Sequence, residues 1–109
     1  MTLGALFDLN GRRALVTGAS RGLGRAIAEA LASAGADVIC ATSHTDGAAA
    51  TIAAIKGLGR DAWEVVADLG DRDAVDVLTI EVDRLGGPVD ILVNNAGHQK
   101  SKIRLSVRQ

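Results

Sequence analysis

A chain of 109 residues with 48% hydrophobic content has room for one globular domain and is too apolar for a disordered segment. Twelve Lys and Arg against thirteen Asp and Glu leave a formal charge of -1, which gives no electrostatic reason to expect nucleic acid or an anionic membrane as partner. The lone Cys40 excludes an internal disulfide, Asp8 interrupts what would have to be the apolar core of a signal peptide, and no apolar run approaches the ~18 residues of a membrane span; a cytoplasmic, reducing compartment is expected.

Along the chain, "RRALVTG" predicts a buried strand over Arg12 to Thr17 that stops where a glycine lets the backbone turn. From Gly22 to Ala34 the pattern changes: Leu23, Ile27, Ala30, Leu31 and Ala34 recur at helical spacing, and Gly35 supplies a C-terminal stop. "DVICA" predicts a second strand, "DGAAATIAAIKGLG" an alanine-rich helix ended by Gly57 or Gly59, and "DAWEVVAD" a third strand. Asp71 is placed to cap a third helix running to Leu85, with Ala74, Val75, Leu78, Val82 and Leu85 on one face and Gly86, Gly87 and Pro88 behind it. Val89 to Asn94 predict a fourth strand. Beyond it, residues 98–109 read as an aperiodic basic tail, distinct from the half-domain over residues 1–97.

Strands alternating with helices of this length imply right-handed βαβ crossovers and a parallel sheet covered on both faces. The expected class is α/β, a truncated Rossmann-type doubly wound sheet of about four strands and three helices.

Between the first strand and helix lies "TGASRGLG", with glycines at 18, 22 and 24. Gly18 permits a sharp exit from the strand, Gly22 lets backbone approach a ligand, and Gly24 lets the helix pack tightly. Free N–H groups and the positive end of the helix dipole then converge on one spot, which suits a diphosphate. The bland alternative is a merely tight βα turn, but the trio follows a predicted strand and opens a predicted helix, as a dinucleotide fingerprint requires.

With Asp68 after the third strand and "NNAG" at Asn94 to Gly97 after the fourth, these motifs resemble the short-chain dehydrogenase/reductase (SDR) family in order and spacing, over residues 8 to 97. The resemblance extends to the branches acting on gluconate and keto-deoxy-gluconate and to 3-oxoacyl-carrier-protein reductases. It implies that Gly18, Ser20, Arg21, Gly22, Leu23 and Gly24 hold the cofactor's diphosphate end. It also implies that Asp68 hydrogen-bonds the adenine ring, with Leu69 supporting it through its backbone, and that Asn95, Ala96 and Gly97 lie along the ribose. The asparagine side chains would tie the central strands together. Asp68 taken alone reads as a turn residue at a strand end.

Cofactor choice rests on the end of the second strand, where NAD enzymes place a carboxylate. Thr42 and Ser43 offer no anion there, and Arg21 is a candidate cation for a 2′-phosphate, so NADP is favoured. The sugar-acid branch points instead to NAD, and Arg21 also reads as a solvated surface charge. The family's hydride transfer needs a tyrosine, a lysine four residues after it and a serine; the chain contains no tyrosine, so no catalytic residue is assigned.

The expectation is therefore the cofactor-binding N-terminal part of an NAD(P)-dependent oxidoreductase, cut off before its active site. Its tail is read as foreign or disordered, and it would self-associate through the exposed edge of the fourth strand. A stand-alone nucleotide-binding or regulatory module is the alternative. Lys100, Lys102, Arg104 and Arg108 also read as a weak basic arm for anionic partners. His44 and His98 lack the companions of a metal site, and Cys40 reads as a small buried apolar residue.

Overall fold

Short apolar runs separated by helices lie side by side in a computed structural model that describes residues 8–67, 72–95 and 104–107, with 72–75 and 104–107 described by their backbone. The elements in chain order are β1 (Arg13–Thr17), α1 (Gly22–Ser33), β2 (Asp37–Thr42), α2 (Ala49–Gly57), β3 (Ala62–Val66), α3 (Arg72–Arg84), β4 (Ile91–Asn94) and β5 (Arg104–Val107). The sheet order is β3-β2-β1-β4-β5. β1 pairs in parallel with β2 and β4, and β2 with β3. The predicted α/β class, with a four-stranded parallel sheet and three helices, is the observed one.

Alternating side chains send the sheet's apolar residues to two cores. On one face Ala14, Val16, Val38, Cys40, Ile91 and Val93 meet Ala28 and Ala32 of α1 and Ile55 of α2. On the other, Leu15, Ile39, Ala41 and Val65 meet Leu78 and Val82 of α3. The second cover is thinner: α3 packs on β3, while Leu92 of β4 stays 36% exposed and Ile80 of α3 53%.

The stripe that α1 buries differs from the expected one. Gly24, Ala28 and Ala32 are its buried residues, Ile27 and Leu31 flank them, and Leu23 is 51% exposed. The helix lies so close to the sheet that its contact line accepts only small residues, and the larger apolar ones sit beside that line. α2 starts at Ala49 rather than Asp46, because residues 45–48 form turns. There the Glu64 carboxylate accepts the N–H groups of Asp46 and Ala48, each at 3.0 Å, so they are satisfied by a side chain from β3 instead of beginning a helix. Asp71 lies outside the described residues.

At the opposite edge of the sheet, a cluster around Arg13 anchors the start of β4. Asp90 is buried; its N–H donates to the Arg13 carbonyl at 2.8 Å and its carboxylate accepts the Arg13 N–H at 3.1 Å. The Arg13 guanidinium donates to the carbonyls of Gly87 (2.6 Å) and Pro88 (3.2 Å) and lies 5.5 Å from the centre of the Trp63 ring. The turn between α3 and β4 is thereby tied to the central strand.

The edge of β4 is not open. β5 pairs with it antiparallel, placing Val107 opposite Ile91 and Leu105 opposite Val93. This corrects the reading of the tail as aperiodic and of β4 as the exposed edge of the sheet. Ile103, Leu105 and Val107 alternate with Arg104 and Ser106, a strand pattern hidden by the basic residues on either side. Charged side chains are common on an edge strand, where they discourage its unpaired backbone from taking on another strand. A chain shortened to residues 1–97 is therefore expected to self-associate more strongly than the full 109 residues at equal concentration. Light scattering checks this, and equal scattering would show that β5 protects nothing.

Candidate functional site

Because β1 to β4 are parallel, their C-terminal ends share one edge, and the chain leaves β1 there through the glycine-rich turn. Gly18 and Gly22 adopt positive φ angles of 63° and 59°, a region that side chains disfavour. A side-chain carbon on Gly22 would meet nothing within 4 Å, so the backbone at Gly22 borders open space. Gly24 is the opposite case: a carbon there would collide with the Gly18 carbonyl oxygen and lie 2.7 Å from Asn95 Nδ2. The first turn of α1 is thus pressed against the strand exit, as its glycine led one to expect.

Arg21 holds the N-cap position of α1 with extended backbone and makes no side-chain cap hydrogen bond. The first N–H groups of the helix are therefore not claimed by a cap side chain, and they lie beside the open space at Gly22. Arg21 itself is exposed and joins none of the ion pairs found among the described residues. No acidic residue occupies the first helical turn. Uncapped amides, a helix dipole and a nearby cation together make an environment that favours an anion.

Thr17, at the end of β1, joins the turn to β4. The Asn95 N–H donates to Thr17 Oγ1 at 2.8 Å, and the Thr17 hydroxyl lies 3.1 Å from Asn94 Oδ1 as its donor. Asn94 thus ties β4 to β1 through its side chain, and Asn95 does so through its backbone N–H. On the other flank, the Ala19 N–H donates to the Ala41 carbonyl at 3.2 Å, holding the turn beside the end of β2. Thr42, the last residue of β2, is buried, and its Oγ1 accepts the His44 N–H at 3.5 Å; Ser43 is exposed beyond it. Gly18, Ser20 to Gly24, Thr42, Ser43 and Asn95 consequently gather at one edge of the sheet. Asp68, Leu69, Ala96 and Gly97 lie outside the described residues, as does His98.

Sequence reasoning missed Thr51. It is fully buried on α2, and its hydroxyl donates to the Ala19 carbonyl at 2.8 Å. Nothing local in "AATIAAIKG" marks it, because its acceptor lies 32 residues earlier. The role of Glu64 was equally invisible.

The sequence model of the short chain dehydrogenase family matches residues 12–108. The chain belongs to that family. It is 42% identical over 95 residues, 87% of its own length, to gluconate 5-dehydrogenase of Gluconobacter oxydans (strain 621H), of which it spans 37%. A 3-oxoacyl (acyl-carrier-protein) reductase from Agrobacterium tumefaciens C58, crystallised with NADP bound, superimposes with a TM-score of 0.82 at 45% identity, over 92% of this chain and 38% of that one. A short chain dehydrogenase from Burkholderia cenocepacia J2315 in complex with NADP gives 0.76 at 47% identity, over 84% and 38%. The family match runs through β5 as well as the glycine-rich turn.

Cys40 takes no part in this edge as a nucleophile. It is wholly buried, and burial first, then the charge of Glu64, pushes its thiol up from 9.0 to about 12. The folded chain thus keeps a proton that the unfolded chain releases near 9.0, so stability is lost as pH rises above that value. The slope is at most about 1.4 kcal/mol per pH unit. Urea melts at about pH 8 and about pH 10.5 are expected to diverge in the parent chain and to diverge less in Cys40→Ala; identical pH slopes would refute the assignment.

Gly24→Ala is expected to destabilise the fold by about 1–3 kcal/mol through overpacking. Gly57→Ala, at a position where a side-chain carbon meets nothing within 4 Å and φ is not positive, should be neutral or slightly stabilising. Paired thermal melts distinguish them, and equal melting temperatures would show that the contact at Gly24 relaxes freely.

Proposed function

We propose that residues 12–108 form the dinucleotide-binding part of a short-chain NAD(P)-dependent oxidoreductase. Its reaction is hydride transfer between a nicotinamide and a carbonyl or secondary alcohol, with sugar acids as one substrate class. The uncapped start of α1 beside the open backbone of Gly22 carries this reading. The residues present suit a dinucleotide. Gly18, Ser20, Arg21, Gly22, Leu23 and Gly24 would hold the diphosphate, and half-exposed Leu23 would lie against it rather than in the core. Thr42 and Ser43 would face the adenosine ribose. Asp68 and Leu69 would meet the adenine, and Asn95, Ala96 and Gly97 would lie along the cofactor's ribose.

NADP is the favoured cofactor: Thr42 and Ser43 bring no carboxylate to repel a 2′-phosphate, and Arg21 stands exposed nearby. The NADP bound to both solved relatives supports the same choice. Binding without turnover is proposed for these 109 residues, because none is a tyrosine. Lack of a positioned acid/base removes about 10²–10⁴ in rate. A second reading, a nucleotide-binding module with no chemistry of its own, draws on the pairing of β5 along β4.

Calorimetric titration of the purified chain with NADPH and NADH is expected to show tighter binding of NADPH. Equal or reversed affinities would remove the role given to Thr42, Ser43 and Arg21, and no binding of either would remove the dinucleotide site itself. Carbonyl-dependent oxidation of NADPH by the same preparation would overturn the absence of turnover.

A further inference from the structure

Both backbone groups of Ala19, in the middle of the glycine-rich turn, are fastened from outside it. Its N–H is held by β2 and its carbonyl by the Thr51 hydroxyl of α2. A buried threonine on a helix ordinarily satisfies itself on a carbonyl one turn back. Thr51 instead commits its proton to a residue of another element, so the position of α2 is transmitted to the turn.

The position of α2 is in turn set by Glu64. Ala48 is the N-cap of α2 and has no side chain able to cap. Glu64 Oε1 accepts the Ala48 N–H and Oε2 the Asp46 N–H, both at 3.0 Å. One carboxylate from β3 thus binds two amides and pins the helix start. Asp46 reaches this geometry at a positive φ of 61°, and Gly47 lies so close that a side-chain carbon would collide with Thr42 Oγ1. β3, the 45–48 turn, α2 and the glycine-rich turn form one hydrogen-bonded series.

We propose that Thr51 and Glu64 are positioning residues for dinucleotide binding: Glu64 fixes the start of α2, and Thr51 carries that position to the turn through the Ala19 carbonyl. The inference rests on the reading of this turn as a diphosphate site. Two glycines at positive φ leave the turn wide conformational freedom, whereas amides that bind a diphosphate must be held within about 0.5 Å of their productive places. The turn does not hold its aim by itself. Thr51 supplies the restraint from one side as β2 does from the other.

The test uses the full chain and four variants: Thr51→Val, Thr51→Ser, Glu64→Ala and Glu64→Gln. NADPH affinity is measured well below each variant's melting temperature, so that lowered stability alone does not reduce binding. Thr51→Val is expected to weaken NADPH about tenfold, the equivalent of one hydrogen bond, and Thr51→Ser to restore it to within about twofold. Glu64→Ala should weaken binding in the same direction, with Glu64→Gln, which keeps one acceptor oxygen, in between. A Thr51→Val chain that melts earlier yet binds NADPH as the parent does would overturn the proposal.

Amide exchange without cofactor provides the second arm. Faster exchange in Thr51→Val confined to residues 18–24 supports the positioning role, and a uniform rise across the sheet overturns it. If the parent chain binds no dinucleotide, the reading of the turn as a diphosphate site fails, and the exchange result decides the positioning role separately.

Discussion

The first turn of α1 lies against the Gly18 carbonyl with no room for a side-chain carbon at position 24, and the arrangement at the sheet's C-terminal edge depends on that contact. With the helix this close, its uncapped first turn sits at the strand exit, beside the open space at Gly22. The same closeness admits only Gly24, Ala28 and Ala32 on the contact line. A larger residue would push the helix away from the sheet and disturb the uncapped N–H groups together with the Asn95 amide beside them. Packing and the anion-suited geometry therefore have one cause.

Around this contact, polar groups do what apolar packing does elsewhere. Thr17, Thr42 and Thr51 are all buried, and the hydroxyl of each is used: to join β1 to β4, to shape the turn after β2, and to hold Ala19. Each hydrogen bond contributes only about 1 kcal/mol net, but leaving such a group unpaired in the interior costs more. These bonds consequently select one arrangement of the turns over its neighbours. The contrast is Gly22, whose backbone borders open space. An edge that is fixed around an open centre suits a ligand that must be gripped by backbone.

The two faces of the sheet are unequal. α1 and α2 cover one side with small and branched residues, while α3 covers the other beside β3 and leaves Leu92 of β4 half-open. β5 pairs along β4, so β4 is an inner strand even where its face is thinly covered. An unpaired edge and an uncovered face are separate liabilities; β5 moves the edge away from apolar β4, while Leu92 stays partly exposed.

The alternation of strand and helix, the α/β class and the glycine-rich turn were legible in the sequence because each is written locally: β1 as an apolar run ending at Gly18, the turn as glycines at fixed offsets. Small Cys40 in a strand likewise read correctly as buried. What depended on distant partners was not legible. The stripe of α1 was assigned to its larger apolar residues, since periodicity identifies a face but not how close the sheet comes. The start of α2 was placed too early, because the carboxylate that occupies its amides comes from Glu64, sixteen residues beyond Ala48. The alternation in "IRLSV" was present but lost among basic neighbours, and its pairing with β4 decided it. Thr51 carried no local mark at all. Sequence by itself determined which segments could be strands, helices and a phosphate-suited turn, for those follow from spacing along the chain. Only tertiary structure decided which small residues touch, which carboxylate caps and which hydroxyl holds the turn, because each requires two segments to meet in space.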